Sequence, residues 1–131
     1  MFSNTADFDP WPGVFTMTSN GSSDVFVAKY TSGGAFVWAK SMGGTSFDEG
    51  TGIAVDSDCN VLITGVFQRT VDFYPCEDEH LLVIKGSYDV FVSKLDTDGR
   101  FLWARQAGST STDYANGLAV SADGSVHVSG Y

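Results

Sequence analysis

The chain has 131 residues, of which 43% are hydrophobic and 14% aromatic, and it carries a formal net charge of −9. This composition is typical of a folded protein and argues against a disordered one. The negative charge argues against nucleic acid or an anionic membrane as a partner, because both require a basic patch. No apolar run reaches the length of a membrane span, and the N-terminus lacks the basic and apolar regions of a signal peptide.

Short segments rich in Val, Ile, Phe and Thr are separated by clusters of Gly, Asp, Asn and Ser, a pattern that predicts β-strands and turns. No segment shows a helical period, so we predict an all-β chain. In chain order, the strands are predicted near residues 14–19, 24–31, 35–42, 51–56, 60–67, 80–85, 89–96, 100–107, 116–121 and 125–131.

The sequence repeats itself at a constant offset of 65 residues. Without a gap, residues 2–66 (repeat 1) align with residues 67–131 (repeat 2), and 26 of the 65 pairs, or 40%, are identical. A fixed long period indicates a repeat architecture, in which each unit buries its apolar face against a neighbour. Assembly is therefore central to the function of this chain.

The strand segments are apolar at consecutive positions, which predicts sheets that are covered on both faces. Four-stranded antiparallel sheets of this kind, repeated in series, are typical of β-propeller blades. Four aromatic residues are predicted to pack between blades, with a sugar-binding platform as the alternative for the tryptophans: Phe36, Trp38, Phe101 and Trp103.

The repeated motifs resemble those of a known family. Asp24–Lys29 followed by Gly34–Ala39, then Gly43–Asp48, Gly52–Asp56 and Asn60–Gly65, is similar to the bacterial SBBP repeat, the "seven-bladed beta-propeller" repeat. The resemblance implies a propeller fold, an extracellular or cell-surface parent family and no catalytic signature. The tip at residues 7–15 is similar to a subgroup in large secreted proteins of Bacteroidetes-type bacteria, whereas repeat 2 departs from it at residues 73–80.

The repeat frame also predicts where the blades are cut. One complete blade is expected at about 48–107, with residues 2–42 and 113–131 forming two complementary half-blades. Because unpaired apolar edges are an aggregation hazard, we expect the tail of one chain to pair head to tail with the next. A closed ring would hold four, six or eight blades as a dimer, trimer or tetramer, the last two being favoured. The alternative is a fragment of a longer propeller.

The sequence offers little catalytic chemistry, and we predict that the protein is not an enzyme. The two histidines, His80 and His127, occupy positions that the other repeat does not share. No nucleophile elbow, phosphate-binding loop or zinc-binding His-Glu-x-x-His motif occurs. Cys59 and Cys76 are likewise unique to one repeat each, and free thiols are favoured over a disulfide.

Alternating side-chain oxygens at two turns have a spacing that Ca²⁺ can use. They belong to Asp56, Asp58 and Asn60 in one turn and to Asp96 and Asp98 in the other. Neither series has the glycine and the glutamate that complete a calcium loop. The repeats also differ at these turns, because Ser121 stands in place of Asp56 and Thr31 in place of Asp96. Capping of turn N–H groups is therefore favoured over a calcium site.

The hairpin tip is the best place to look for a ligand contact, since function in repeat folds usually lies on loops. Trp11 is the leading candidate, and a cap over the blade edge is its alternative role. The nearby acids Asp7, Asp9 and Asp72 are weaker candidates. They support a second hypothesis, an oligomeric propeller that binds carbohydrate, with a protein ligand also open.

Overall fold

The computed structural model describes residues 1–9, 12–73 and 80–131, and every regular element in these ranges is a β-strand. No helix in this part of the chain is long and apolar enough to cross a bilayer. The predicted all-β class is confirmed. The strands are β1 (Thr5–Asp7), β2 (Thr16–Thr18), β3 (Val25–Tyr30), β4 (Phe36–Gly44), β5 (Glu49–Val55), β6 (Val61–Phe67), β7 (Thr70–Asp72), β8 (Leu81–Val83), β9 (Asp89–Leu95), β10 (Phe101–Ala107), β11 (Ala115–Val120) and β12 (Val126–Gly130).

The ten strands predicted from the sequence are all present, with ends that differ by at most two residues. Strands β1 and β7 were not predicted. Each contains only three residues and ends in aspartate, whereas the equally short β2 and β8 lie within the longer extended segments predicted at 14–19 and 80–85. Each is defined instead by its antiparallel partner across a long hairpin, β2 for β1 and β8 for β7.

The centre of the molecule is one complete blade, a four-stranded antiparallel sheet in the order β10-β9-β6-β5. It runs from Glu49 to Ala107, as the repeat frame predicts. Every residue of β6 is buried, so both faces of this sheet are covered. The prediction from consecutive apolar residues, that both faces of the sheet are covered, is therefore confirmed.

Two half-blades flank the complete blade. Strands β3 and β4 form the N-terminal half-blade, and β11 and β12 form the C-terminal one. Together they contain the four strand types of one blade, β11 and β12 supplying the first two and β3 and β4 the last two. The predicted division into one whole blade and two complementary halves is confirmed.

The β7–β8 hairpin lies in the connection between β6 and β9 but joins the sheet of the N-terminal half-blade. Gly43 of β4 pairs with Asp72, and Gly44 pairs with Val71. A Cβ at Gly44 would collide with the carbonyl oxygen of Thr70, so the close approach requires glycine at this position. Repeat 2 thus extends the last sheet of repeat 1.

The main core fills the space between the N-terminal half-blade and the complete blade. Half-blade and blade side chains form one buried cluster, which we call the closed junction. Its buried members are Val25, Val27, Met42, Val61, Ile63, Phe67, Val71, Phe73, Phe91, Leu95 and Ala104. Burial of this apolar surface is the main source of stability that the two repeats share.

Candidate interaction site

Strands β3 and β12 each leave one edge without a partner strand in the described part of the chain. In the complete blade, the equivalent strands β9 and β6 pair with each other through seven residue pairs, from Val61↔Leu95 to Phe67↔Asp89. The backbone groups that make this ladder within the blade are therefore exposed on both half-blades. Unpaired strand edges of this kind are templates for adding another strand.

One residue pair marks where the vacant edge of β3 stops. Phe2 pairs with Asp24 through two N–H···O=C hydrogen bonds of 2.9 Å. This pair corresponds to Phe67 and Asp89, the last pair of the ladder in the complete blade. The vacancy on β3 therefore covers the six residues Val25–Tyr30, which correspond to the five residues of β12 together with Tyr131.

A cavity of about 320 Å³ lies between the complete blade and the C-terminal half-blade, a region that we call the open junction. Val90 and Ala107 line it from the blade, and Val128, Gly130 and Tyr131 line it from the half-blade. These blade positions correspond to Val25 and Met42 of the closed junction, which are buried. The cavity is thus a part of the core that remains unfilled.

The closed junction shows what fills the corresponding space. A Cβ at Gly65 would lie 2.8 Å from Cε1 of Phe91, so the phenylalanine ring covers this glycine. Phe91 is completely buried. The corresponding glycine at the open junction is Gly130, and the three atoms nearest to its Cβ position are backbone atoms of Tyr114 and Ala115. The corresponding phenylalanine, Phe26, is 39% exposed on the N-terminal half-blade.

Trp38 reaches from the N-terminal half-blade to the β9–β10 turn of the complete blade. Its Nε1–H donates a hydrogen bond of 3.1 Å to the carbonyl of Thr97, and its ring lies against Gly99. Lys29 adds a bond of 2.9 Å from Nζ to the same carbonyl. Phe101 packs against the main core. Phe36 packs against Phe8 and Phe15 in a smaller cluster, and Trp103 is half-buried on β10.

The acids that recur in both repeats hold the blade corners. Asp24 and Asp89 each accept a backbone N–H four residues before them, and Asp48 accepts the N–H groups of Gly44 and Gln68. Burial, with the charge of Asp24 adding to it, raises the pKa of Asp48 to about 6. Burial also raises the pKa of Asp24. These carboxyl groups thus hold backbone turns in both repeats.

The predicted acids of the hairpin tip occupy its neck. Asp7 accepts the N–H groups of Asp9 and Phe15, and Asp72 accepts the N–H of His80 in the equivalent place. Asp9 lies against Gly13. Trp11 lies outside the described residues, so its role as a ligand contact stays a prediction.

The predicted calcium residues are arranged as turn caps. Asp56 and Asp96 each accept backbone N–H groups two and four residues ahead, at about the same distances of 2.9 Å. Lys94 also binds Asp56 at 2.7 Å and holds the pKa of this carboxyl below its usual range. Asp58 and Asp98 provide the N–H groups at the second position. Among residues 1–9, 12–73 and 80–131, no three metal-ligating side chains are grouped, and calcium binding stays a hypothesis.

His80, His127 and Cys59 lie on different elements of the described structure. His127 is exposed on β12 and shares a hydrogen bond of 2.8 Å with Ser121. The ring of His80 contacts the ring of Phe101 in a tilted arrangement, with centroids 4.9 Å apart. Cys59 is a free, exposed thiol at a turn position with a positive φ, where repeat 2 has Gly124. Cys76 lies outside the described residues, and its redox state stays open.

A row of aromatic rings at the open junction was not recognised in the sequence. Phe47, Tyr88, Tyr114 and Tyr131 contact one another in that order, with centroid separations of 5.5–6.1 Å. None of the four has an aromatic residue at the equivalent position of the other repeat. Because the sequence reasoning followed shared positions, it overlooked this row. Aromatic residues that depart from the repeat would have been the signal.

The blade, its two halves and the repeat identify the class of this protein as a repeat β-propeller. The chain is 26% identical to an uncharacterized WD repeat-containing protein of Acanthamoeba polyphaga mimivirus, over 86% of this chain and 10% of that protein. It is 30% identical to the regulatory protein FlaEY of Caulobacter vibrioides, over 84% of this chain and 12% of that protein. The chain thus spans about a tenth of the length of these curated relatives. No family model matches the chain.

Proposed function

We propose that this chain is a non-enzymatic propeller module whose function is protein interaction through completion of its split blade. The β12 edge of one molecule pairs with the β3 edge of a second molecule, head to tail, until a ring closes. The observation that carries this proposal is the β6–β9 ladder, because it shows the same two strand types paired inside the complete blade. The motifs that resemble SBBP repeats support the same assignment and an extracellular or cell-surface setting.

The internal ladder specifies a register for the intermolecular one. Strand β12 is the equivalent of β6 one repeat later, and β3 is the equivalent of β9 one repeat earlier. The β6–β9 ladder therefore predicts that β12 pairs antiparallel with β3. Register is strongly determined here, since a slip of one residue would turn the apolar side chains to the wrong face. The expected pairs are Val126↔Tyr30, His127↔Lys29, Val128↔Ala28, Ser129↔Val27 and Gly130↔Phe26.

This register fills the cavity of the open junction. It places Phe26 of the second molecule over Gly130, as Phe91 lies over Gly65. Full burial of a phenylalanine side chain contributes about 1.5–3 kcal/mol relative to leaving it in water. Phe2 and Phe8 join the interface together with Phe26, since the three rings contact one another. The aromatic cluster of the N-terminal half-blade thus supplies the missing side of the core.

One difference between the repeats prevents the assembled open junction from reproducing every contact of the closed junction. Ser109 stands where repeat 1 has Gly44, the residue that the β7–β8 hairpin approaches closely. The β1–β2 hairpin of the second molecule therefore cannot seat as tightly on Ser109. Strand pairing and the phenylalanine, rather than the hairpin, provide the main affinity.

The same edges fit the adjoining blades of a longer polypeptide, in keeping with the greater length of the relatives. Light scattering of the purified chain distinguishes the two arrangements. A folded chain with a mass of 28, 42 or 56 kDa, a multiple of 14.0 kDa, supports self-assembly and fixes the blade count. A folded chain that stays at 14.0 kDa at millimolar concentration contradicts it.

A charged residue in the core of the new interface provides the matched test. Phe26→Asp should give the mass of a single chain with the strand spectrum retained. Val83→Asp is the control, because Val83 is also an exposed apolar strand residue but lies on β8, away from both edges. Equal masses for the two variants would contradict the assigned register.

A carbohydrate-binding propeller is the second candidate, and one observation favours it. Tyr114 and Tyr131 line the open cavity together with Asp113. Aromatic faces beside an acid are a common arrangement in ligand pockets. A glycan array with the wild type and Tyr131→Ala tests this candidate. Binding that is lost in the variant supports it, whereas an array without signal contradicts it.

A further inference from the structure

We propose that Trp103 of one molecule clasps the Thr31–Gly34 turn of the next and thereby selects a second copy of this chain as the partner. This inference rests on the proposed head-to-tail assembly and identifies a residue that gives the contact its specificity. It concerns the packing between successive blades rather than the strand ladder within the completed blade.

The Trp38 contact is the internal example of this clasp. The indole N–H donates to the carbonyl of Thr97, and the ring covers Gly99, the left-handed residue of the same turn. A Cβ at Gly99 would lie 3.0 Å from the ring, closer than most real contacts. The clasp therefore requires both a flat ring and a glycine.

The corresponding groups at the open junction are unused. Gly34 has the same left-handed conformation, with φ of +85°, but nothing lies within 4 Å of the position of a Cβ. Trp103 stands on β10 where Trp38 stands on β4. Among the described residues, the Trp103 indole N–H has no hydrogen-bond acceptor. Trp103 and the Thr31–Gly34 turn therefore each lack the contact that their equivalents make at the closed junction.

The assembled register brings these two groups together. When β12 pairs with β3 of the second molecule, the β3–β4 turn of that molecule takes the place that the β9–β10 turn takes at the closed junction. The Trp103 N–H then faces the carbonyl of Ser32, which corresponds to Thr97, and its ring faces Gly34. A strand edge alone accepts many partners, but this turn with an open glycine face is a feature of the chain itself.

The charged part of the internal contact is not reproduced. Lys29 reinforces the Trp38 clasp, whereas its equivalent Lys94 is held by Asp56 at 2.7 Å. The indole therefore provides the clasp alone at the open junction. Substitutions of Trp103 should consequently change the affinity without a contribution from a neighbouring cation.

The test measures assembly constants by analytical ultracentrifugation. A net protein hydrogen bond is worth roughly 0.5–1.5 kcal/mol, so Trp103→Phe should weaken assembly about 2- to 13-fold. Trp38→Phe is the matched control: it should lower the denaturation midpoint, because its clasp lies within one molecule. In a Trp11→Phe, Trp38→Phe background, the emission of Trp103 should shift to the blue when the chain assembles.

The outcomes separate the two proposals. A wild-type chain that stays a folded monomer overturns both the assembly and the clasp. Assembly with an unchanged constant in Trp103→Phe, or with unchanged Trp103 emission, overturns the clasp and leaves the strand pairing in place. A weakened constant together with the blue shift supports the clasp.

Discussion

The closed and open junctions are built from the same repeat but differ in how much of the next blade is present. At the closed junction, the half-blade meets all four strands of a blade, and the phenylalanines are buried between them. At the open junction, the complete blade meets only β11 and β12, and a cavity remains. The difference teaches that the apolar face of each unit is complete only when the outer two strands of its neighbour are in place.

The largest effect should come from truncating the ring that the closed junction buries. Phe91→Ala removes a completely buried side chain and should lower the free energy of unfolding by about 3–5 kcal/mol. Phe26→Ala, its equivalent, removes a ring that is 39% exposed, so it should lower the free energy of unfolding of the single chain by less and should weaken assembly as well. Urea denaturation of both variants measures the contrast. Equal losses of stability would contradict the distinction between the two junctions.

A smaller effect is expected at the two turn glycines. Both have positive φ, so replacement by alanine strains each turn by about 1 kcal/mol. Gly99→Ala should cost more than Gly34→Ala in thermal unfolding, because only Gly99 lies under a tryptophan ring. Equal melting temperatures for the two variants would show that the Trp38 ring does not press on Gly99 in solution.

The closed junction should also be stabilised by mild acid. The folded pKa of Asp48, raised by burial to about 6, lies above its unfolded value, so the folded state binds the proton more tightly. Stability should rise as the pH falls from 7 towards 4, by on the order of 1 kcal/mol. Urea midpoints between pH 7 and pH 4.5 measure the trend, and Asp48→Asn should flatten it. A wild-type stability that falls over this window would contradict the assignment.

The smallest effect concerns the hairpin contact that Ser109 obstructs. Ser109→Gly restores the residue that permits close approach at Gly44 and should tighten assembly by a few tenths of a kcal/mol to about 1 kcal/mol. Sedimentation equilibrium of the variant beside the wild type measures the change. Gly108→Ser is the opposing control, because a Cβ there would meet the carboxylate of Asp89. Weaker assembly in Ser109→Gly would show that the hairpin docks elsewhere.

The complete blade and the two half-blades could be predicted from the sequence, because the strand patterns are local and occur in both repeats. Runs such as Val61–Phe67 show burial on both faces directly. The β1 and β7 strands escaped prediction because their pairing depends on contacts across long hairpins. The cavity and the row through Tyr88 and Tyr114 escaped because they depend on which blades are neighbours, and no local pattern reports this. The Trp38 clasp was foreseen as packing between blades but not as a contact with a particular turn.

The position of β6 has a consequence for protein engineering. The boundary between the two sequence repeats, between Val66 and Phe67, falls inside a strand whose every residue is buried. The complete blade therefore takes its first two strands, β5 and β6, from repeat 1 and its last two, β9 and β10, from repeat 2. A cut at this boundary would divide one blade between two fragments, so the two repeats should unfold in a single cooperative transition rather than as independent domains.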